Sequence, residues 1–118
     1  MDCPRCGSPM ALRHEGLHAD IPVHRCDRCR ALWMSPASLD RLDDNINVDA
    51  AALAWQPTGD EAYTCTRCPS GYRSEGALLA ALTLADAPEL VLHRCRSCDG
   101  LLLDEATLDG IQAHVMRA

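Results

Sequence analysis

The chain has no phenylalanine and no lysine, and only two tryptophans and two tyrosines in 118 residues. So little aromatic bulk makes a conventional enzyme core hard to build. A chain that cannot bury enough apolar surface normally relies on disulfides or a metal. Long hydrophobic runs are missing too. The longest apolar-rich stretch, Gly76 to Ala85, falls well short of the roughly 18 residues that a membrane span needs. Met1-Asp2-Cys3 opens without the charged-then-apolar pattern of a secretion signal, which points to the cytoplasm. With no lysine, all 11 basic residues are arginine; against 17 acidic residues they leave a net charge of −6. Residues 1–59 carry 6 Arg and 8 acidic groups, and residues 60–118 carry 5 and 9, so neither half is basic. Such a chain is a poor non-specific binder of nucleic acid, because phosphate contacts need cations. Arginine without lysine, with abundant alanine, suggests a GC-rich bacterial gene.

What the chain does have is cysteine. All eight fall in four CxxC pairs: Cys3/Cys6, Cys26/Cys29, Cys65/Cys68 and Cys95/Cys98. In a reducing compartment this count argues for metal over disulfides. Two residues between cysteines let a tight turn, a knuckle, aim both sulfurs at one ion. Two knuckles supply four thiolates, which suits tetrahedral zinc and leaves no coordination position open for catalysis. Nineteen residues separate the first two pairs and 26 the last two; the first spacing fits the usual zinc pattern and the second is long for it.

The chain is also an internal duplication. Shifted by 69 residues, His24-Arg25-Cys26 overlays His93-Arg94-Cys95, Cys29 overlays Cys98, Leu32 overlays Leu101, and Leu39-Asp40 overlays Leu108-Asp109. A shift of 62 overlays Cys3, Arg5, Cys6 and Ser8 on Cys65, Arg67, Cys68 and Ser70. The second copy therefore has seven extra residues between its knuckles. Duplication favours two zinc ions, each held within one copy. A set mixing Cys26/Cys29 with Cys65/Cys68 would strand the outer pairs.

Local signals repeat with the cysteines. Pro4 and Gly7 mark a turn, and Met10 to His14 and Leu17 to Arg25 read as a hairpin turning at Glu15-Gly16. Leu32-Trp33-Met34 is a third strand. Ser35-Pro36 starts a helix, Ser as cap and Pro in the first turn, with Leu39, Leu42 and Ile46 on one face. In the second copy Leu90-Val91-Leu92 leads into Cys95, Leu101 to Leu103 follow Cys98, Asp104 caps, and Leu108, Ile111 and Val115 form the stripe. Ala77 to Ala85 fits strand or short helix equally. Asn47 to Ala62 reads as a linker with a turn at Pro57-Thr58-Gly59-Asp60, and Val48 to Trp55 can extend the first helix. Trp33 is expected in the core, under the helix. His24 and His93, two residues before a ligand cysteine, are expected to support the metal sites by hydrogen bonding to sulfur or backbone. His14, His18 and His114 read as surface residues.

Cys3-Pro4-Arg5-Cys6-Gly7, then Cys26-Asp27-Arg28-Cys29-Arg30-Ala31-Leu32-Trp33-Met34 and a Leu-bearing helix, resembles the bacterial TFIIB-type zinc ribbon, or transcription-factor zinc-finger domain. That family pattern is a CPxCG knuckle, then C-x2-C-Gly-Gly-aliphatic-Trp-aliphatic-Asp and a short helix. The second copy matches it at Cys95, Cys98, Gly100, Leu103, Asp104 and Leu108. The chain departs from it at Arg30-Ala31 (for Gly-Gly), Ser35 (for Asp), Pro69 (for Gly) and Leu102 (for Trp). The resemblance implies structural zinc and, more loosely, nucleic-acid binding. The expected fold is a small metal-stabilised α+β one: tandem zinc ribbons over 1–46 and 63–118, joined by a linker at 47–62, each with short antiparallel β elements and a C-terminal helix.

Seven arginines lie in or beside knuckles. Arg5, Arg28, Arg30, Arg67 and Arg96 are candidate phosphate contacts. They would equally offset the metal centres, since each Zn(Cys)4 carries a formal charge of about −2. No paired carboxylates, activated nucleophile or phosphate loop is evident, so no enzyme and no small-molecule substrate is expected. The leading expectation is a non-enzymatic zinc-binding protein that binds nucleic acid or associates with the transcription machinery. A protein-interaction adaptor with purely structural zinc is the second. Thiol redox or metal handling is the third, because CxxC is also a redox motif.

Overall fold

Apolar alternation along short strands decides which way each faces, and here it builds two cores on one sheet. The computed structural model describes residues 1–16, 18–42, 53–61, 63–66 and 78–117. Its strands are β1 (Ala11–Glu15), β2 (Ile21–Arg25), β3 (Ala31–Met34), β4 (Trp55–Pro57), β5 (Tyr63–Thr64), β6 (Leu78–Leu84), β7 (Ala87–Cys95) and β8 (Leu101–Asp104). The helices are α1 (Pro36–Leu42) and α2 (Glu105–Arg117). All pairings are antiparallel, and the strand order is β1-β2-β3-β8-β7-β6-β4, with β5 also beside β6. No helix among the described residues is long and apolar enough to cross a membrane.

On one face the odd-register side chains of β2 (Ile21, Val23) join Leu32, Met34, Leu101 and Leu103 beneath Leu39 of α1 and Leu108, Ile111 and Val115 of α2. On the other, Ala31, Trp33 and Leu102 pack with Cys3, Cys26, Cys65 and Cys95. Period-two alternation enforces the division: neighbours along a strand point to opposite faces. Trp33 is therefore buried on the cysteine face, away from both helices, which corrects its expected place under the helix.

The caps form as expected. The Ser38 N–H donates to Ser35 Oγ at 3.1 Å, and the Thr107 N–H donates to Asp104 Oδ1 at 2.7 Å. The Ser38 hydroxyl, although buried, is satisfied by the Pro22 carbonyl at 3.1 Å. Three elements differ from expectation. The second hairpin strand begins at Ile21, because the Ala19 N–H donates to the Gly16 carbonyl and holds that end of the hairpin in a turn; Leu17, its expected start, lies outside the described residues. The undecided segment is strand β6. Within the 47–62 linker, Trp55–Pro57 pairs with Leu82–Leu84, so Trp55 is strand and not helix. Ile46 and most of Val48 to Trp55 lie outside the described residues.

The halves meet along β3 and β8, paired Leu32↔Leu103, Trp33↔Leu102 and Met34↔Leu101. Trp33 and Leu102 are each other's counterparts in the repeat, so the seam has the self-complementary register of a two-fold dimer contact. Its two sides are not identical. A Cβ built on Gly100 would fall 2.6 Å from Cε2 and 2.8 Å from Cη2 of Trp33, so the indole lies on bare backbone. At the corresponding place in the other copy stands Ala31, and the counterpart of Trp33 is the smaller Leu102. Large meets small on one side, and medium meets medium on the other.

Candidate metal centres

Each described knuckle is wound by the same backbone bonds. The Gly7 N–H donates to the Cys3 carbonyl at 2.8 Å, Arg30 to Cys26 at 3.0 Å and Asp99 to Cys95 at 3.0 Å. The chain then returns, with Cys3 N–H on the Ser8 carbonyl, Cys26 on Ala31 and Cys95 on Gly100. Closing such a turn puts the residue after the second cysteine in the left-handed region: φ is 80° at Gly7, 66° at Arg30 and 61° at Asp99. Glycine takes this conformation freely, while a side chain raises its energy by about 1 kcal/mol. Arg30→Gly should therefore raise stability by about 1 kcal/mol, read as a higher denaturant midpoint at unchanged metal content. Asp99→Gly should gain less, since aspartate tolerates the region better.

The knuckles converge in two groups, Cys3, Cys6, Cys26 and Cys29, and Cys65, Cys95 and Cys98, with the sulfurs of each group within 4.8 Å of one another. Cys3 Sγ lies 3.5 Å from Cys29 Sγ, Cys6 Sγ 3.4 Å from Cys26 Sγ, and Cys65 Sγ 3.9 Å from Cys98 Sγ. Zinc–sulfur bonds of ~2.3 Å in a tetrahedron give sulfur–sulfur edges of about 3.8 Å. The first group is thus a four-thiol set of the right size for zinc, and the second is three quarters of one. Cys68, expected as its fourth ligand, lies outside the described residues. No disulfide links the described cysteines.

The thiols of the first group are not alike. Cys6 is pulled down to about 6, chiefly by the Ser8 backbone N–H and then by the Cys26 thiol. Burial pushes Cys29 up to about 12 and raises Cys3 as well. Burial thus favours the protonated form at Cys3 and Cys29, while hydrogen bonding favours the thiolate at Cys6. An incoming ion must displace those protons, so affinity weakens on acidification. A bound zinc would supply the charge that keeps all four ionised. Backbone donors already aim at the sulfurs, Arg5 N–H at Cys3 (3.4 Å) and Cys29 N–H at Cys26 (3.5 Å).

Among the described residues, no histidine is a member of either group of sulfurs. His93 packs edge-on against Tyr63, ring centres 5.0 Å apart, and burial, assisted by Arg5, holds it below its ordinary pKa. His24 occupies the matching place opposite Trp33. His14 and His18 are exposed, whereas His114 is partly buried and faces Asp86 at 3.5 Å.

Two of the candidate phosphate-contacting arginines are paired with acidic groups. Arg5 pairs with Asp104 at 3.5 Å and Arg96 with Glu61 at 2.8 Å. Arg28 is exposed and donates to the Ser8 hydroxyl at 3.4 Å; Arg30 is exposed beside it. Arg67 lies outside the described residues. Arg25 binds Glu15 and, across the seam, Glu105, and Arg94 meets Asp99 at 3.3 Å. Sequence reasoning missed these cross-copy partners, because nothing in the spacing brings Arg5 to Asp104 or Arg25 to Glu105.

Residues 2–44 match the family described as transcription factor zinc-finger. That span holds all four cysteines of the first group, so the match supports a zinc ribbon there; the second group lies beyond it. No curated protein and no solved structure matches the chain.

Proposed function

We propose that the chain is a non-enzymatic, zinc-held module with two ribbon units, acting by contact with the transcription machinery. The observation that carries this is the coincidence of the transcription-factor zinc-finger match with four converging sulfurs. Four thiolates fill a tetrahedral ion and leave it no site for substrate, which supports a structural role for the metal.

Within that reading, charge favours a protein surface over nucleic acid as the partner. The chain is at −6 before any thiolate is counted, and Arg5, Arg25, Arg41, Arg94 and Arg96 each face a carboxylate. Arg28 and Arg30, exposed together on one knuckle without an acidic partner among the described residues, favour the second reading, a local phosphate contact. A pull-down from native lysate, divided with and without nuclease, separates the two. The protein reading expects a partner that survives nuclease. The nucleic-acid reading expects binding at low salt that Arg28→Ala with Arg30→Ala weakens at least about tenfold and that fades with salt. Absence of both would overturn the proposal.

A further inference from the structure

We propose that the two cysteine groups take up and release metal as a coupled pair, through the seam of Trp33 and Leu102. This rests on the reading that both groups hold zinc. Cys3 and Cys26 of one group and Cys65 and Cys95 of the other belong to a single buried cluster, in which Trp33 and Leu102 also sit. At three of the four cysteine pairs, neighbouring residues lean on the other copy. Arg5, between Cys3 and Cys6, pairs with Asp104, the cap of α2. Thr66, next to Cys65, donates its hydroxyl hydrogen to the carbonyl of Asp2, next to Cys3. The Trp33 indole lies over Gly100, two residues beyond Cys98.

Fixing either set of sulfurs therefore orders residues that the other set also needs ordered. The second ion meets a chain already organised by the first, which is positive coupling by linkage. Two ribbons on a flexible spacer would lack this property. Here the spacing of ligands makes the sites local, and the shared cluster makes their occupancies interdependent.

The test is a set of zinc-binding constants measured on the full chain. Cys98→Ser gives the constant for the first group with the second disabled, and Cys26→Ser gives the reverse. The constant for loading both ions in the parent, divided by the product of these two, is the coupling factor. It should exceed about 5; a factor within about twofold of unity overturns the proposal. Trp33→Leu keeps all eight cysteines and guards against variants that fail to fold. Native mass spectrometry at half saturation should show the one-metal form rising in Trp33→Leu relative to the parent, and an unchanged share overturns the role of the seam. A parent that binds fewer than two ions removes the zinc reading itself, whereas one that binds two independently removes only the coupling.

Discussion

Stripping metal from the protein with a strong chelator should unfold most of the sheet. A structural zinc site contributes roughly 10–16 kcal/mol of apparent binding free energy at neutral pH. A domain's whole stability is about 5–15 kcal/mol. Two such sites in a chain with no phenylalanine leave little margin without them. On the cysteine face, Trp33, Leu102, Leu79, Met10 and Ala31 share one buried cluster with the cysteines. Circular dichroism should lose its folded signature, and amide protection in β3 and β8 should disappear together, since those strands bound both cores. Added zinc should restore both signals. Unchanged protection after complete metal removal would refute the structural role.

Gly100→Ala should be the most damaging glycine-to-alanine change among the described residues. The new carbon would overlap the Trp33 indole, which is buried and has the β3–β8 pairing holding it in place. Overpacking usually costs about 1–3 kcal/mol, and this site belongs at the upper end because the new carbon is fixed to the main chain and meets a rigid, buried ring. Trimming the indole should relieve it. Trp33→Leu combined with Gly100→Ala recreates the medium-on-medium arrangement that Leu102 and Ala31 already represent. The double variant should recover at least about 1 kcal/mol relative to the sum of the two single changes, the sign of a direct contact in a mutant cycle. Denaturant unfolding of the four proteins measures it. Strict additivity would mean that the two residues do not bear on each other.

Much of this could be read from residues acting on their near neighbours. Ser35 and Asp104 were legible as caps because the bond each makes spans three residues. The knuckles were legible because Cys-x-x-Cys closes on itself. Segments whose state depends on distant partners were less so. Ala77 to Ala85 satisfies either period equally, and pairing with β7, β4 and β5 makes Leu78–Leu84 a strand. Trp33 was legible as buried, but its face depends on which side the helices cover, a choice made by Leu32 and Met34 on either side of it. The seam itself was invisible: a repeat tells that two halves are alike, not that they join through Trp33 and Leu102. Arg5 and Arg25, read as knuckle charges, turn out to reach across that seam.

The outer strands carry one more consequence. A long antiparallel sheet with open margins invites further strands from other molecules, and natural sheets blunt that tendency with charge, proline and brevity. At one margin β1 is exposed along most of its length and displays Arg13, His14 and Glu15, with Leu12 its one large apolar residue. At the other, β4 has three residues and ends in Pro57, and β5 has two. Growth by strand addition is discouraged at both ends, so the protein should remain discrete in concentrated solution while it is folded, and become prone to self-assembly when the interior leucine strands are laid open.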